Sequence, residues 1–114
     1  LVDEVSQSNA EHTTMAFLAT PRANVVGSTT AGADGNVSPI PLPGGLRSMI
    51  SGIGVFYPDK RRTQRVGILA DVEAKPTIEG ISAGRDEVLE QGLRQIVGDS
   101  VPATEIENMA RPKK

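Results

Sequence analysis

The chain has 114 residues, no cysteine, one histidine, a net charge of −2 and 3% aromatic residues. The absence of cysteine excludes disulfide frameworks, Cys-rich zinc sites and a cysteine nucleophile, and the acidic balance with few rings argues against a nucleic-acid-binding module. No apolar run approaches the roughly 18 residues of a membrane helix, so we expect no membrane span in this segment.

The start of the chain predicts a β-α-β unit. Residues 1–5 are apolar enough for a strand, residues 6–9 are polar, and residues 10–20 have helical spacing that Pro21 ends. Residues 23–27 form a β-branched run typical of a second strand, parallel to the first. The predicted fold class is therefore α/β. Because residue 1 reads as the middle of a strand, we expect the chain to be part of a larger domain.

The middle of the chain predicts a long loop followed by a β-hairpin. Residues 28–45 are rich in glycine, proline and small polar residues, which favours a loop. Residues 46–57 predict a strand with bends at Gly52 and Gly54, and residues 63–69 predict the strand that pairs with it. The basic side chains between these strands are interpreted as a solvated hairpin tip.

The last third of the chain predicts a short edge segment, a helix and a tail. Residues 71–76 alternate polar and apolar residues, and residues 85–97 have an apolar stripe at helical spacing, with Gly98 as a C-terminal cap. Residues 99–114 lack periodicity, so we expect a flexible tail.

Ser8 is the residue with the most informative position. At a helix start, unpaired backbone N–H groups and the positive end of the helix dipole stabilise negative charge, which suits a nucleophile. The same residues also form a Ser-x-x-Glu capping box with Glu11, and the local spacing by itself favours that structural role. His12 is interpreted as a surface or packing residue. The carboxylates show no metal-ligand spacing, so no metal or cofactor is predicted, and most of them are expected to be solvated.

Several short motifs follow one another in a recognisable order. The motifs are Val-Asp-Glu at 2–4, Ser-Asn-Ala-Glu at 8–11, Arg-Ala-Asn-Val-Val-Gly at 22–27, Thr-Ala-Gly-Ala-Asp-Gly at 30–35, Pro-Gly-Gly at 43–45, Val-Gly-Ile-Leu-Ala-Asp-Val at 66–72 and Asp-Glu-Val-Leu at 86–89. Together they resemble the C-terminal-processing, or tail-specific, serine peptidases, whose relatives include the tricorn core protease and interphotoreceptor retinoid-binding protein. The resemblance covers residues 1–98, which we interpret as the C-terminal part of the peptidase core.

The resemblance implies a crotonase- or Clp-protease-like α/β core and a serine endopeptidase that cleaves proteins or peptides near their C-termini. It implies that Ser8 is the nucleophile and that the backbone N–H of Asn9 is one arm of the oxyanion hole, with Glu11 and Gln64 in supporting roles. Asp71 is interpreted as structural. A PDZ-type domain upstream and a periplasmic or otherwise extracytoplasmic location would also follow from the resemblance.

Two departures from the family pattern concern the general base. Ala33 occupies the position where many members have a lysine, and Gln64 or residues near it lie where tricorn-like relatives have a carboxylate. A serine needs a base to become nucleophilic. We therefore expect the base to come from upstream and the isolated fragment to be inactive. We also expect the fragment to self-associate, because a sheet that lacks its upstream strands exposes an apolar edge. The alternative is a catalytically silent relative that binds peptides or hydrophobic ligands.

Overall fold

A computed structural model of the chain describes residues 1–111, and the last three residues of the predicted tail lie outside the described residues. Two short 3₁₀ turns, Pro43–Gly45 and Gly98–Ser100, accompany the regular elements. The helices are α1 (Asn9–Leu18), α2 (Ile78–Ser82), α3 (Glu87–Val97) and α4 (Ala103–Ala110), and the strands are β1 (Val26–Gly27), β2 (Val37–Pro41), β3 (Arg47–Ser51) and β4 (Val72–Glu73). Mixed helices and small sheets confirm the α/β class.

The described residues form two compact units. The first, called here the helical unit, contains Leu1–Val2, Asn24–Ser28 and the chain from Ala70 onwards. The second, called the hairpin unit, contains Asp3–Ala23 and Thr29–Leu69. None of the helices in residues 1–111 has the length and apolar character that crossing a membrane requires.

The helical unit is built on a small parallel sheet. β1 pairs in parallel with β4, and Val2 forms a parallel bridge to Gly27. The predicted parallel relation between the first two strands is therefore confirmed, although the first strand is reduced to this bridge. Asp71 stabilises the segment that leads into β1, because its carboxylate accepts a hydrogen bond from the Val25 N–H at 2.8 Å. This contact agrees with its interpretation as a structural residue.

The expectation of an unstructured tail from residue 99 is wrong for residues 103–110, which form α4. Ile106 and Ala110 are buried at a spacing of one helical turn, and α4 packs against α3. The Arg85 guanidinium reinforces this contact, because it binds the carboxylates of Glu90 on α3 and Glu107 on α4. A helix of eight residues is too short to be stable alone, so its apolar contacts decide whether it forms.

The hairpin unit contains a different hairpin from the predicted one. β3 pairs with β2, which lies in the predicted loop, and not with residues 63–69, where the expected strand is wrong. Between the predicted strands there are the isolated bridge of Phe56 to Arg62 and the hydrogen bond from the Thr63 N–H to the Val55 carbonyl at 3.4 Å, and no regular ladder. The backbone of residues 63–69 bonds instead to the loop after β1, since the Thr30 N–H donates to the Ile68 carbonyl at 3.1 Å.

Candidate active site

A tight turn leads the chain into Ser8. The carboxylate of Asp3 accepts hydrogen bonds from the Ser6 N–H at 2.8 Å and the Ser6 hydroxyl at 2.7 Å. The hydrogen bonds from Ser6 hold the pKa of Asp3 below its ordinary value. The Ser6 carbonyl in turn accepts from the Ala31 N–H at 2.9 Å. The segment before α1 is therefore tied to the loop that contains Ala31.

Ser8 has an unusual backbone conformation for a residue with a side chain. Its φ is 52° and its ψ is −116°, outside the regions that ordinary L-residues favour. Its N–H points both at the Ala33 carbonyl, 3.2 Å away, and at a carboxylate oxygen of Glu11, 3.1 Å away. Such backbone strain costs on the order of 1–3 kcal/mol and persists only where surrounding contacts fix it. These two contacts fix it here.

Two polar groups at the start of α1, the Ser8 hydroxyl and the Asn9 N–H, are available to a further partner. Ser8 is exposed and forms the predicted capping box with Glu11: the Glu11 carboxylate accepts from the Ser8 N–H, and the Ser8 hydroxyl faces the Glu11 N–H without a regular capping hydrogen bond. Within residues 1–111 the N–H of Asn9, the first residue of α1, has no hydrogen-bond partner. Unpaired N–H groups at a helix start attract negative charge. The hydroxyl of Ser8 and the N–H of Asn9 are neighbours along the chain at this point.

Glu11 is the structural centre of the site. Its side chain is fully buried, and besides the Ser8 N–H it accepts from the Thr30 hydroxyl, from the Gly32 N–H at 2.8 Å and from the Ala33 N–H at 3.0 Å. A buried carboxylate requires such partners. The expectation that most carboxylates are solvated is therefore wrong for Glu11, because the loop after β1 surrounds it with N–H and O–H donors.

The loop that supplies these donors is closely packed against residues 65–68. Gly32 has a φ of 67°, and a Cβ at this position would lie 3.0 Å from the backbone nitrogens of Val66 and Gly67. The Thr30 hydroxyl, which donates to Glu11, also accepts from the Ile68 N–H at 2.8 Å. A larger residue at position 32 would displace the loop, so glycine is required there for a steric reason.

The structure brings Ala33 beside Ser8 through the contact of its carbonyl oxygen with the Ser8 N–H. Its methyl side chain cannot accept a proton. His12 lies one turn further along α1, is exposed, and its ring makes no hydrogen bond within residues 1–111. The geometry thus places a serine at a strained helix start with no proton acceptor hydrogen-bonded to its hydroxyl among the described residues.

Asp34 is a second buried carboxyl group that the sequence does not reveal. Its exposed fraction is 4%, and its one hydrogen bond, from the Thr63 hydroxyl, is long at 3.5 Å. Burial raises the pKa of Asp34, the charge of Glu11 raises it further, and His12 opposes the shift. The expectation of a solvated carboxylate is wrong here too. Asp34 lies seven residues after Gly27, where β1 ends, and no local sequence pattern distinguishes it from a solvated loop carboxylate.

Gln64 lies outside the hydrogen bonds that join Ser8 and Glu11. Its side-chain oxygen is buried without a hydrogen-bond partner in the described chain, and it would lie 3.4 Å from a Cβ placed on Gly35. Its supporting role therefore stays a prediction. Residues 1–111 contain no group of acidic or histidine side chains arranged to hold a metal ion.

Comparisons with known proteins place the chain in a family. The family model described as "Peptidase family S41" matches residues 1–74. A solved structure from Parabacteroides merdae ATCC 43184, of a protein to which a peptidase role is provisionally assigned, is similar with a TM-score of 0.73 and 28% identity. The similarity covers 85% of this chain and 31% of that protein, so the chain spans about a third of its length. Comparison with curated proteins gives no match.

Proposed function

Because the chain belongs to peptidase family S41, we propose that it forms part of a serine-type peptidase core in which Ser8 is the nucleophile. The observation that carries the proposal is the backbone of Ser8, with a φ of 52° at the first turn of α1. Strained conformations of residues with side chains are concentrated at functional sites, and nucleophilic serines on sharp strand-to-helix turns are a known example.

The proposed reaction is acyl transfer followed by hydrolysis. The Ser8 hydroxyl loses its proton to a base while its oxygen attacks the peptide carbonyl carbon. The C–N bond then breaks, the base returns the proton to the leaving amine, and water hydrolyses the acyl-enzyme. The unpartnered N–H of Asn9 would donate to the negative oxygen that forms on the carbonyl.

Glu11 is proposed as the positioning residue of this site. It accepts from the Ser8 N–H and from two loop N–H groups, so it connects the strained residue to the loop on which Ala33 lies. It has no proposed role in proton transfer, because its carboxylate oxygens are engaged by these donors and by Thr30. Removing it would release the conformation of Ser8.

The general base comes, in this proposal, from outside residues 1–114. Ala33 supplies no basic side chain, and the ring of His12 has no hydrogen bond to the serine. The substrates would be proteins or peptides cleaved near their C-termini in an extracytoplasmic compartment, as the family resemblance implies. N-terminal sequencing of the released fragments would locate the cleavage position, and fractionation of the producing cell would locate the protein.

Covalent labelling tests the assignment of Ser8. The full-length protein that contains this chain is treated with a fluorophosphonate, which reacts with activated serines. We expect labelling of the wild type and of Ser48→Ala, a matched control in the exposed hairpin, and no labelling of Ser8→Ala. Equal labelling of the wild type and Ser8→Ala would overturn the assignment.

The alanine at position 33 favours a second candidate function, a catalytically silent relative that binds peptides or hydrophobic ligands. In that case the wild-type protein would not react with the fluorophosphonate at all, while peptides would bind equally to the wild type and to Ser8→Ala. The labelling experiment therefore distinguishes the two candidates.

A further inference from the structure

The hairpin of β2 and β3 has one closed edge and one open edge. The Leu42 N–H donates to the Leu46 carbonyl at 2.9 Å, so this pair is hydrogen-bonded, and hydrogen-bonded pairs alternate with non-hydrogen-bonded pairs along an antiparallel ladder. The pair Pro39–Met49 is therefore non-hydrogen-bonded, as is the pair Pro41–Arg47. The backbone groups of these residues face away from the hairpin.

The outer edge of β2 is closed by proline. Pro39 and Pro41 lack an N–H and both lie at outward-facing positions, so they remove donors from the edge without removing a hydrogen bond from the ladder. This placement explains how a strand with two prolines pairs along its whole length. It also prevents another strand from adding to β2 with a complete set of hydrogen bonds.

The outer edge of β3 carries its full set of backbone donors and acceptors. Arg47, Met49 and Ser51 face outwards, each with an N–H and a carbonyl, and β3 has no other strand beside it in the described chain. The side chain of Met49 is 70% exposed and that of Ile50 is 54% exposed. An open edge with exposed apolar side chains is a template for another strand.

We propose that the outer edge of β3 pairs with β3 of a second copy of this chain, antiparallel and centred on Met49. In this register Met49 lies opposite Met49 of the other copy, and Arg47 lies opposite Ser51 of the other copy. No like charges face each other, and Ile50 of each copy lies opposite Ser48 of the other.

The occupant is a second copy because the edge is complementary to itself. A twofold axis through Met49 satisfies the outward-facing groups of three residues in each strand, giving a continuous four-stranded sheet. Because Pro39 and Pro41 close both outer edges of that sheet, it stops at two copies and does not grow into a fibre. The contact is short, so the dimer dissociates on dilution.

Cysteine cross-linking tests the register, because the chain has no cysteine of its own. In Met49→Cys the two Cα atoms would be about 5.5 Å apart, within the range that a disulfide bridges. In Arg47→Cys the equivalent distance is about 13 Å, which a disulfide cannot bridge. Under mild oxidation of the 114-residue chain we expect a covalent dimer of Met49→Cys and none of Arg47→Cys. Equal cross-linking of both variants, or of neither, overturns the proposal.

A proline at the same edge tests the role of the backbone. Met49→Pro removes an outward-facing N–H from each copy, as Pro39 does on β2, while Met49→Ala removes the side chain and keeps the N–H. By sedimentation velocity at increasing concentration, we expect the dissociation constant of the dimer to rise at least about tenfold for Met49→Pro. The Met49→Ala dimer should persist. Unchanged dimerisation of Met49→Pro, or a monomeric wild type at high concentration, overturns the proposal.

Discussion

The starts of α1 and α3 use similar residues for different purposes. At α3, Asp86 has a negative φ of −110°, and its carboxylate accepts from the Leu89 N–H at 2.9 Å, as an ordinary helix cap does. At α1, Ser8 has a φ of 52° and its hydroxyl makes no capping bond. At α3 the side chain before the helix is hydrogen-bonded to its own first turn, whereas at α1 the Ser8 hydroxyl and the Asn9 N–H are available. An available hydroxyl and N–H at the start of α1 are what the proposed role of Ser8 as a nucleophile requires.

Of the changes that test this difference between α1 and α3, removing the Glu11 side chain has the largest expected effect. Glu11→Ala leaves the N–H groups of Gly32, which is buried, and Ala33, which is half-buried, without this acceptor, and each unsatisfied buried group costs about 1–3 kcal/mol. We expect a loss of about 4 kcal/mol in the free energy of unfolding by urea titration. The matched variant at α3, Asp86→Ala, should lose about 1 kcal/mol. Similar losses for both variants would contradict the central role of Glu11.

Adding a basic side chain at position 33 has the next largest expected effect. Ala33→Lys places an amine on the residue whose carbonyl contacts the Ser8 N–H. We expect fluorophosphonate labelling of Ser8 in the 114-residue chain to become about 100-fold faster and to increase with pH as the amine loses its proton. Ala33→Met is the control, since it has a similar length and no amine. If both variants react at the same rate, Ala33 is not at the position of a base.

Releasing the backbone strain at Ser8 gives a smaller effect on stability. Glycine adopts positive φ at no steric cost, so Ser8→Gly should increase the free energy of unfolding by about 1 kcal/mol while labelling is lost. Ser8→Ala keeps the strained backbone and should change stability by less than about 0.5 kcal/mol, because the hydroxyl makes no capping bond. Thermal unfolding of the three proteins measures both differences. A destabilised Ser8→Gly would mean that the conformation is not strained.

The smallest expected effect is the pH dependence due to Asp34. Its pKa in the folded chain is raised by burial, so the charged form destabilises the fold at neutral pH. This penalty disappears as the pH falls through the folded-state pKa towards the ordinary value. Relative to Asp34→Asn, the wild type should therefore gain stability between neutral pH and about pH 4. A constant difference between the two proteins across that range would show that Asp34 is not perturbed.

The hairpin explains why part of the fold was predicted wrongly. The prolines and glycines of residues 28–45 indicated a loop, yet Pro39 and Pro41 lie at positions where a strand does not need an N–H. Residues 63–69 have strand-like composition, but their backbone groups pair with the loop that holds Thr30 and Gly32. Which strand pairs with which depends on contacts between distant segments, and local composition does not contain that information.

The sequence predicted the candidate residues of the site but not the geometry that surrounds them. Ser8 and Asn9 could be placed at a helix start from spacing, and the order of the motifs identified the family. The burial of Glu11 and Asp34 could not be predicted from local sequence. Glu11 is buried by a loop more than 15 residues further along the chain, and Asp34 contacts Thr63, which is also distant in sequence.

The sequence alone determined the α/β class, helices α1 and α3, the family and the absence of a lysine at position 33, because these depend on local spacing and on residue identity. The tertiary structure alone decided the conformation of Ser8, the burial of Glu11, the partner of β3 and the existence of α4. Each of these depends on which distant groups are brought together. A buried carboxylate or a short helix is stable only when those contacts form.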